Sequence, residues 1–560
     1  MKKFLLAMLV LSFAPSALMA DSCCSSSSNN SCSACCPIDD CCPKTCETSC
    51  TPNGCCPEEC DDLDPCDCRV SGQSFFSVRP HFQGGSPEKV SMWRLERIYA
   101  RIEGHRGSFQ VVPFGGRTVK SRRFASYFMP FCKAELLVAE NETDNPDRDI
   151  DATAFNISTT GGNFSSRLCF RPRQSTAGVG LSWRQRLSRS DEEKGFWFEV
   201  SMPITHVRNT MDLSENVLVD GGGANTENFS IAQPNMTTAF QQERFNFGRI
   251  PCDCGDGLTK TGLADVDLRI GYGWKQENMC HLESYLGVLI PAGNKVKGCN
   301  MFEPIIGRNH HVGFEFGNAG GFRVWANEEK ERAIWVETAI HSIYLNKNTQ
   351  RRSFDVKYKP WSRYLPVYCN IAQAQQAVDD NDGTLYTPGI NVFTQDVRVH
   401  GRFQRTYNTA FVFSGPSFSA EAGYNFFCRD AECVELCNWC DTVAPLACIA
   451  QGPTETTGIT NRFRTIKNCN AECIDPDAQV VSNVVQEDQY NANTIKKDDL
   501  DLNSAAAPCQ SQHTLYANLG YNWNDIEYPT FVGIGGSYEF SPDNAGLNRW
   551  LVWGKIGMSY

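Results

Sequence analysis

A strict two-residue period constrains this chain more than any other feature. In Asn548–Tyr560 (N-R-W-L-V-W-G-K-I-G-M-S-Y), Trp550, Val552, Ile556, Met558 and Tyr560 share one parity, and Lys555, Gly557 and Ser559 share the other. Successive strand side chains point to opposite faces, so this stretch has one apolar face with aromatic ends and one mixed face. The pattern recurs. Ala177, Val179, Leu181 and Trp183 alternate with Gly, Ser and Arg, and Phe196, Phe198, Val200, Met202 and Ile204 alternate with Trp197, Glu199, Ser201 and Pro203. Val266, Leu268, Ile270, Tyr272 and Trp274 alternate with Asp267, Arg269, Gly271 and Gly273. Phe418–Phe426 and Val532–Phe540 repeat the scheme. Each stretch is about 10 residues long, the length of a strand that crosses a bilayer at a tilt.

A soluble two-sheet sandwich would alternate in the same way. Three features favour an all-β transmembrane antiparallel β-barrel. Charges such as Asp267, Arg269 and Glu421 sit mid-strand on the polar face, as an aqueous lumen requires. Aromatics recur at strand ends (Trp183, Trp274, Phe426, Trp550). Tight turns at 187–194 and 541–547 alternate with long polar connections near 209–259 and 428–507. The reading predicts about 16 strands, with a range of about 14 to 18, in an outer-membrane barrel covering 132–560.

What precedes the barrel differs in kind. Met1–Ala20 has Lys2 and Lys3, an apolar run and small residues ending in Ala20, and so reads as a cleaved export signal. No later apolar run reaches 18 residues, and mean hydropathy is −0.36, so a helical membrane protein is not expected. Residues 70–131 are transitional and read either as first staves or as a lumen helix opened by Ser86-Pro87-Glu88.

Residues 21–69 form an acidic segment expected in the periplasm. It holds Cys23, Cys24, Cys32, Cys35, Cys36, Cys41, Cys42, Cys46, Cys50, Cys55, Cys56, Cys60, Cys66 and Cys68, with Cys-Cys-Pro three times and almost no aliphatic residue. Such a composition cannot build a core, so the segment is expected to be disordered or disulfide-stapled. The whole chain holds 29 cysteines, an odd number, which leaves at least one thiol for another chain or unpaired. A metal cluster, a self-contained knot and an intermolecular cross-linking arm compete, and the last is favoured. Further cross-link candidates are Cys252, Cys254, Cys428, Cys433, Cys437, Cys440, Cys448, Cys469 and Cys473. Their spacing resembles zinc sets, yet an exported loop favours disulfides.

No catalytic constellation is legible, so no enzyme, cofactor or metal site is expected. His310-His311 would face opposite sides of a strand, so ordinary strand or loop histidines are favoured over a shared metal. Parity instead picks pore-lining candidates: Arg167, Arg171, Arg184, Arg186, Glu199, Asp265, Asp267, Arg269, Arg398, Arg402 and Glu421. Fixed charges facing one another across a pore tune which solutes pass.

Several segments resemble the major-outer-membrane-protein-type porins of chlamydia-related bacteria. They are Phe75–Pro80 (F-F-S-V-R-P), Ala264–Gly273 (A-D-V-D-L-R-I-G-Y-G), Asn309–Gly317 (N-H-H-V-G-F-E-F-G), Thr349–Asp355 with Trp361–Leu365, and Ala422–Phe426. The resemblance spans about 75–560. It implies a porin in a bacterial outer membrane whose rigidity depends on disulfides to other cysteine-rich envelope proteins. It also makes Tyr560 the barrel-assembly signal. Passive diffusion of small hydrophilic solutes and ions is the expected function. A surface protein using the barrel only to anchor cysteine-stapled, adhesin-like loops is the alternative. The expected partners are outer-membrane lipid and small solutes, with a homotrimer by analogy with porins and no nucleic acid.

Overall fold

The computed structural model describes residues 69–80, 107–140, 147–155, 157, 163–187, 194–220, 233–250, 257–276, 279–329, 331–357, 359–368, 387–436, 438–439, 444–445 and 495–560. Twelve long strands form a closed antiparallel barrel. They are β1 (Gly107–Val119), β2 (Arg173–Arg186), β3 (Lys194–Thr210), β4 (Val266–Gln276), β5 (Cys280–Ile290) and β6 (Gly313–Ala326). β7 (Ala333–Leu345), β8 (Arg402–Ser414), β9 (Phe418–Arg429), β10 (Gln510–Trp523), β11 (Thr530–Phe540) and β12 (Asn548–Ser559) complete it. Each strand pairs with its neighbours in sequence, and β12 pairs with β1 to close the ring. At that seam Gly107 N donates to Tyr560 O at 2.8 Å and Tyr560 N donates to Gly107 O at 3.0 Å.

The alternating stretches read from the sequence all become staves. Their parity sends Trp550, Val552, Ile556 and Met558 outward and buries Leu551, Trp553 and Lys555. Around the ring the outer face exposes Phe196, Ile270, Leu286, Phe316, Ile340, Phe411, Leu515 and Ile534, among others. A continuous apolar belt of this extent is incompatible with water and matches the hydrocarbon zone of a bilayer. Aromatics border it at both ends: Phe109, Trp183, Tyr272, Tyr521 and Tyr560 at one, Phe314, Tyr344, Tyr538 and Trp550 at the other. No helix among the described residues is long and apolar enough to cross a membrane.

The expected count of 16 strands, and the range of 14 to 18, is corrected to twelve. The surplus strands exist but lie outside the ring. Glu135–Ala139, Ile150–Asp151, Ser165–Cys169 and Ser214–Val219 make one small sheet, and Asn348–Ser353, Thr394–His400 and Cys433–Leu436 make another. Those of the second sheet alternate for the same physical reason as the staves, because one face is buried, so period alone cannot separate them. One further strand, Leu258–Leu263, pairs with the Ile204–Asn209 half of β3, while β4 pairs with the Lys194–Ser201 half.

All these extra elements belong to connections at one end of the barrel. The connections 120–172, 211–265, 291–312, 346–401, 430–509 and 541–547 emerge there, whereas those at the other end are short. Together with residues 69–80 they build a cap. It holds the helix α1 (Ser121–Phe128) and an apolar core of its own that includes Phe76, Phe128, Leu136, Phe170, Phe240, Phe354, Trp361 and Phe393. The first stave falls at 107–119, inside the stretch read as transitional.

Candidate functional site: the lumen wall

Inward positions of the twelve staves define the wall. Six of them carry aromatic rings that lie over a glycine directly across the strand pair: Phe114 over Gly178, Trp197 over Gly271, Tyr285 over Gly317, Tyr516 over Gly423, Trp553 over Gly535 and Phe531 over Gly557. A β-carbon on any of these glycines would collide with the ring. Each ring therefore lies flat against the wall instead of pointing to the axis, which stiffens the strand pair.

Charges cluster on β2 to β7. Arg184 bridges Glu283 at 2.6 Å and Glu199 at 3.8 Å, with its guanidinium 3.6 Å from the Trp197 ring centroid. Arg269 bridges Glu315 at 2.7 Å, Asp267 at 3.5 Å and Glu199 at 4.0 Å. His281 Nε2 lies 3.1 Å from Glu337. Five carboxylates thus share this arc with two guanidiniums and one imidazole, so the arc is acidic. The opposite arc is mostly neutral. Tyr516 donates to Glu421 at 2.8 Å and accepts from Asn408 at 3.1 Å, and Trp553 donates to Asn518 at 2.8 Å.

At the long-loop mouth, Arg79 enters the barrel. It donates to Glu539 at 2.9 Å, Asn425 at 2.7 Å and Thr514 at 3.4 Å, and its guanidinium sits 4.6 Å from the Phe427 centroid. Arg549 accompanies it, bridging Glu539 at 2.8 Å and donating to the carbonyl of Arg79 at 3.0 Å. The residues before Arg79 run back into the cap. Ser74 and Gln73 bond Ser504 and Tyr127 through the backbone, and Arg69 meets Asn544 and Asp543.

Of the residues chosen by parity, Arg184, Arg186, Glu199, Asp267, Arg269 and Glu421 stand on inward positions of staves. Asp265 lies one residue before β4, where its carboxylate accepts from Arg308 N at 2.8 Å. Arg402 opens β8 at the mouth with φ 52°. Arg167, Arg171 and Arg398 are corrected: they belong to the cap, not to the wall. Arg167 lies on a cap strand beside Glu135, 3.6 Å away, Arg171 follows that strand, and Arg398 is on the central strand of the second small sheet. His310-His311 is a loop pair, with His311 buried against Gln350 at 2.8 Å.

Glu283, Glu315, Glu337, His281 and Arg79 were missed by sequence reading. Parity against Leu282 and Leu286, or against Phe314 and Phe316, would have found Glu283 and Glu315. Arg79 lies on no stave, so no periodic signal marks it.

Among the cross-link candidates, Cys428 and Cys433 are thiols, as are Cys169, Cys280 and Cys299. All the other cysteines proposed from the sequence lie outside the described residues.

The cap's central site is Asp355. It accepts from Trp361 N at 3.1 Å and Arg363 N at 3.0 Å and pairs with Arg363 Nη2 at 3.0 Å. Burial pushes its carboxyl up to about 6, against the pull of Arg363.

No family model matches the chain, and no curated relative matches it. Among solved structures it is similar to an outer membrane channel from Pseudomonas putida F1, with 7% identity and a TM-score of 0.36, covering 82% of this chain and 97% of that one. It is also similar to the transport unit of the autotransporter AIDA-I from Escherichia coli, with 7% identity and a TM-score of 0.30, covering 84% and 95%. A third is a FadL homologue from Pseudomonas aeruginosa, with 7% identity and a TM-score of 0.28, covering 87% and 99%. Likenesses this distant carry no residue role over to this chain.

Proposed function

We propose that the protein is an outer-membrane barrel of the channel type, passing small hydrophilic solutes and ions by diffusion. The observation that carries this reading is the sidedness of the staves: an apolar belt outside, and Arg184, Glu199, Arg269, Glu283, Glu315 and Glu421 inside. A wall with these fixed charges favours ions and polar solutes over apolar ones. The acidic arc of β2 to β7 gives cations the advantage. Short turns then face the periplasm and the cap faces outward. Conductance of the refolded protein in a planar bilayer tests this. Stepwise, cation-selective events support it, and a silent bilayer with correctly folded protein sinks it.

A second reading has one specific observation in its favour. The connections at the long-loop mouth carry an apolar core of their own, as an anchored surface structure would need. A silent bilayer would favour this reading. In either case the cysteine-rich segment is proposed to join the protein to other envelope proteins through disulfides, which adds rigidity. Ladders on non-reducing gels that collapse with reductant are the expected result, and a monomer in both lanes removes that role. A homotrimer remains part of the proposal by analogy with porins alone.

A further inference from the structure

We propose that the outer face of β5 to β8 is the surface on which a second copy of this chain docks within the membrane. The proposal rests on the reading of the ring as a membrane barrel, not on its conductance. Its first support is where polar side chains stand on the belt. The outward positions of β3 between Phe196 and Ile204, of β4 between Val266 and Trp274, and of β12 between Trp550 and Met558 are apolar, aromatic or glycine throughout. On β5 to β8 the same face carries Ser284, Asn318, Thr338 and Thr409. Ser284 and Asn318 are both exposed. They lie inside the belt, since Leu282 and Leu286 flank the serine on its own stave and Phe316 precedes the asparagine on the next. Ser284 stands directly opposite Asn318, and Thr338 stands between Gly320 and Thr409, so one patch spans four adjacent staves.

The second support is an unused hydrogen-bonding group. Ser284 Oγ donates to Asn318 Oδ1 at 2.7 Å. The amide nitrogen of Asn318 has no partner among the described residues. Acyl chains accept no hydrogen bond, and an amide left unsatisfied in an apolar medium is costly. Protein interfaces in membranes are built from such groups: small residues let the backbones approach, and Ser, Thr and Asn side chains bond across the contact. Gly320 and the two threonines supply the first part here, and Asn318 supplies the second.

The occupant must sit in the bilayer and offer a donor and an acceptor at the depth of Asn318. A second copy meets both conditions. An axis along the membrane normal, twofold or threefold, brings the same patch of each copy to one depth, where each amide can donate through nitrogen and accept through oxygen. The homotrimer proposed above by analogy thereby acquires a named face.

The experiment places a photo-crosslinking phenylalanine analogue at Phe316 or Ile340, beside the patch, and at Ile534 or Ile556, exposed on β11 and β12 across the ring. The purified full chain is folded into phospholipid vesicles, and heat-modifiable gel mobility selects folded protein. After irradiation, reducing gels remove every disulfide-linked species. Covalent oligomers are expected from Phe316 and Ile340 and not from Ile534 and Ile556. Lipid adducts alone at the patch, or equal oligomer yields from all four sites, overturn the proposal. In the Phe316 background, Asn318→Leu should lower the oligomer yield about threefold or more, and Ser284→Ala should lower it less. Both changes make the belt more apolar, so the folded band is retained, and an unchanged yield in both overturns the role of the polar pair. None of these readouts depends on conductance. A silent bilayer leaves this inference standing, and a missing crosslink leaves the channel reading standing.

Discussion

Gly271 has no side chain because the Trp197 ring occupies the space where one would go. Gly271→Val should therefore force the ring off the wall, at a cost of about 1–3 kcal/mol for an overpacked site. The expected result is a lower temperature for loss of the folded gel band, with Gly271→Ala intermediate. Adding Trp197→Ala should recover part of the loss, and no coupling between the two sites would refute the joint. None of these six pairs was legible in the sequence, because a ring and its glycine meet only once register is known. Asp355 gives a second prediction at this scale. Its folded-state pKa of about 6 lies above the unfolded value, so the folded cap binds the proton more tightly. The contribution is present in full below about pH 4 and is lost as pH rises through about 6, up to about 3 kcal/mol in all. Hydrogen-exchange protection across residues 355–365, taken relative to the intrinsic exchange rate at each pH, should rise between pH 7 and pH 5, and Asp355→Asn should flatten that rise.

At the scale of elements, the staves were legible and the cap was not. Val266–Trp274 declared itself by alternation, and the structure pairs it on both sides. Thr394–His400 alternates as well, but its partners are two short cap strands, and the sequence holds no mark of that choice. The misplacement of Arg398, Arg167 and Arg171 follows directly. The cap's independence is testable through Trp361, which is fully buried and donates from Nε1 to Phe128 O at 2.9 Å. Trp361→Ala should cost the cap about 3–5 kcal/mol. Its connections should become protease-sensitive while the heat-modifiable barrel band persists. Loss of that band together with the cap would show one cooperative unit instead of two. The C-terminal stave makes a narrower prediction. Trp183 Nε1 donates to the Tyr560 hydroxyl at 2.5 Å, and the Tyr560 backbone seals the ring. Deleting Tyr560 should lower the folded fraction at the cell surface, and unimpaired insertion would count against its role.

At the scale of the whole molecule, the parity of the staves gives an apolar belt outside and a polar wall inside, the arrangement of a membrane barrel. Wall and belt were readable from residue order because each stave obeys one rule from end to end. The path of residues 69–80 was not readable. Phe76 and Arg79 look like the start of a strand, and their true neighbours, Tyr127 and Glu539, lie far along the chain.

The seam between β1 and β12 carries one more consequence, in time instead of space. Eleven of the twelve strand pairs join sequence neighbours and can form as hairpins while the chain is still incomplete. The twelfth joins the first stave to the last and has by far the greatest contact order. Until it forms, β1 and β12 each present an unpaired edge, and a chain stalled at that point is primed to pair with the wrong neighbour. By contact order, closure is thus the pairing expected to form last in assembly, and Gly107 and Tyr560 meet only when it does.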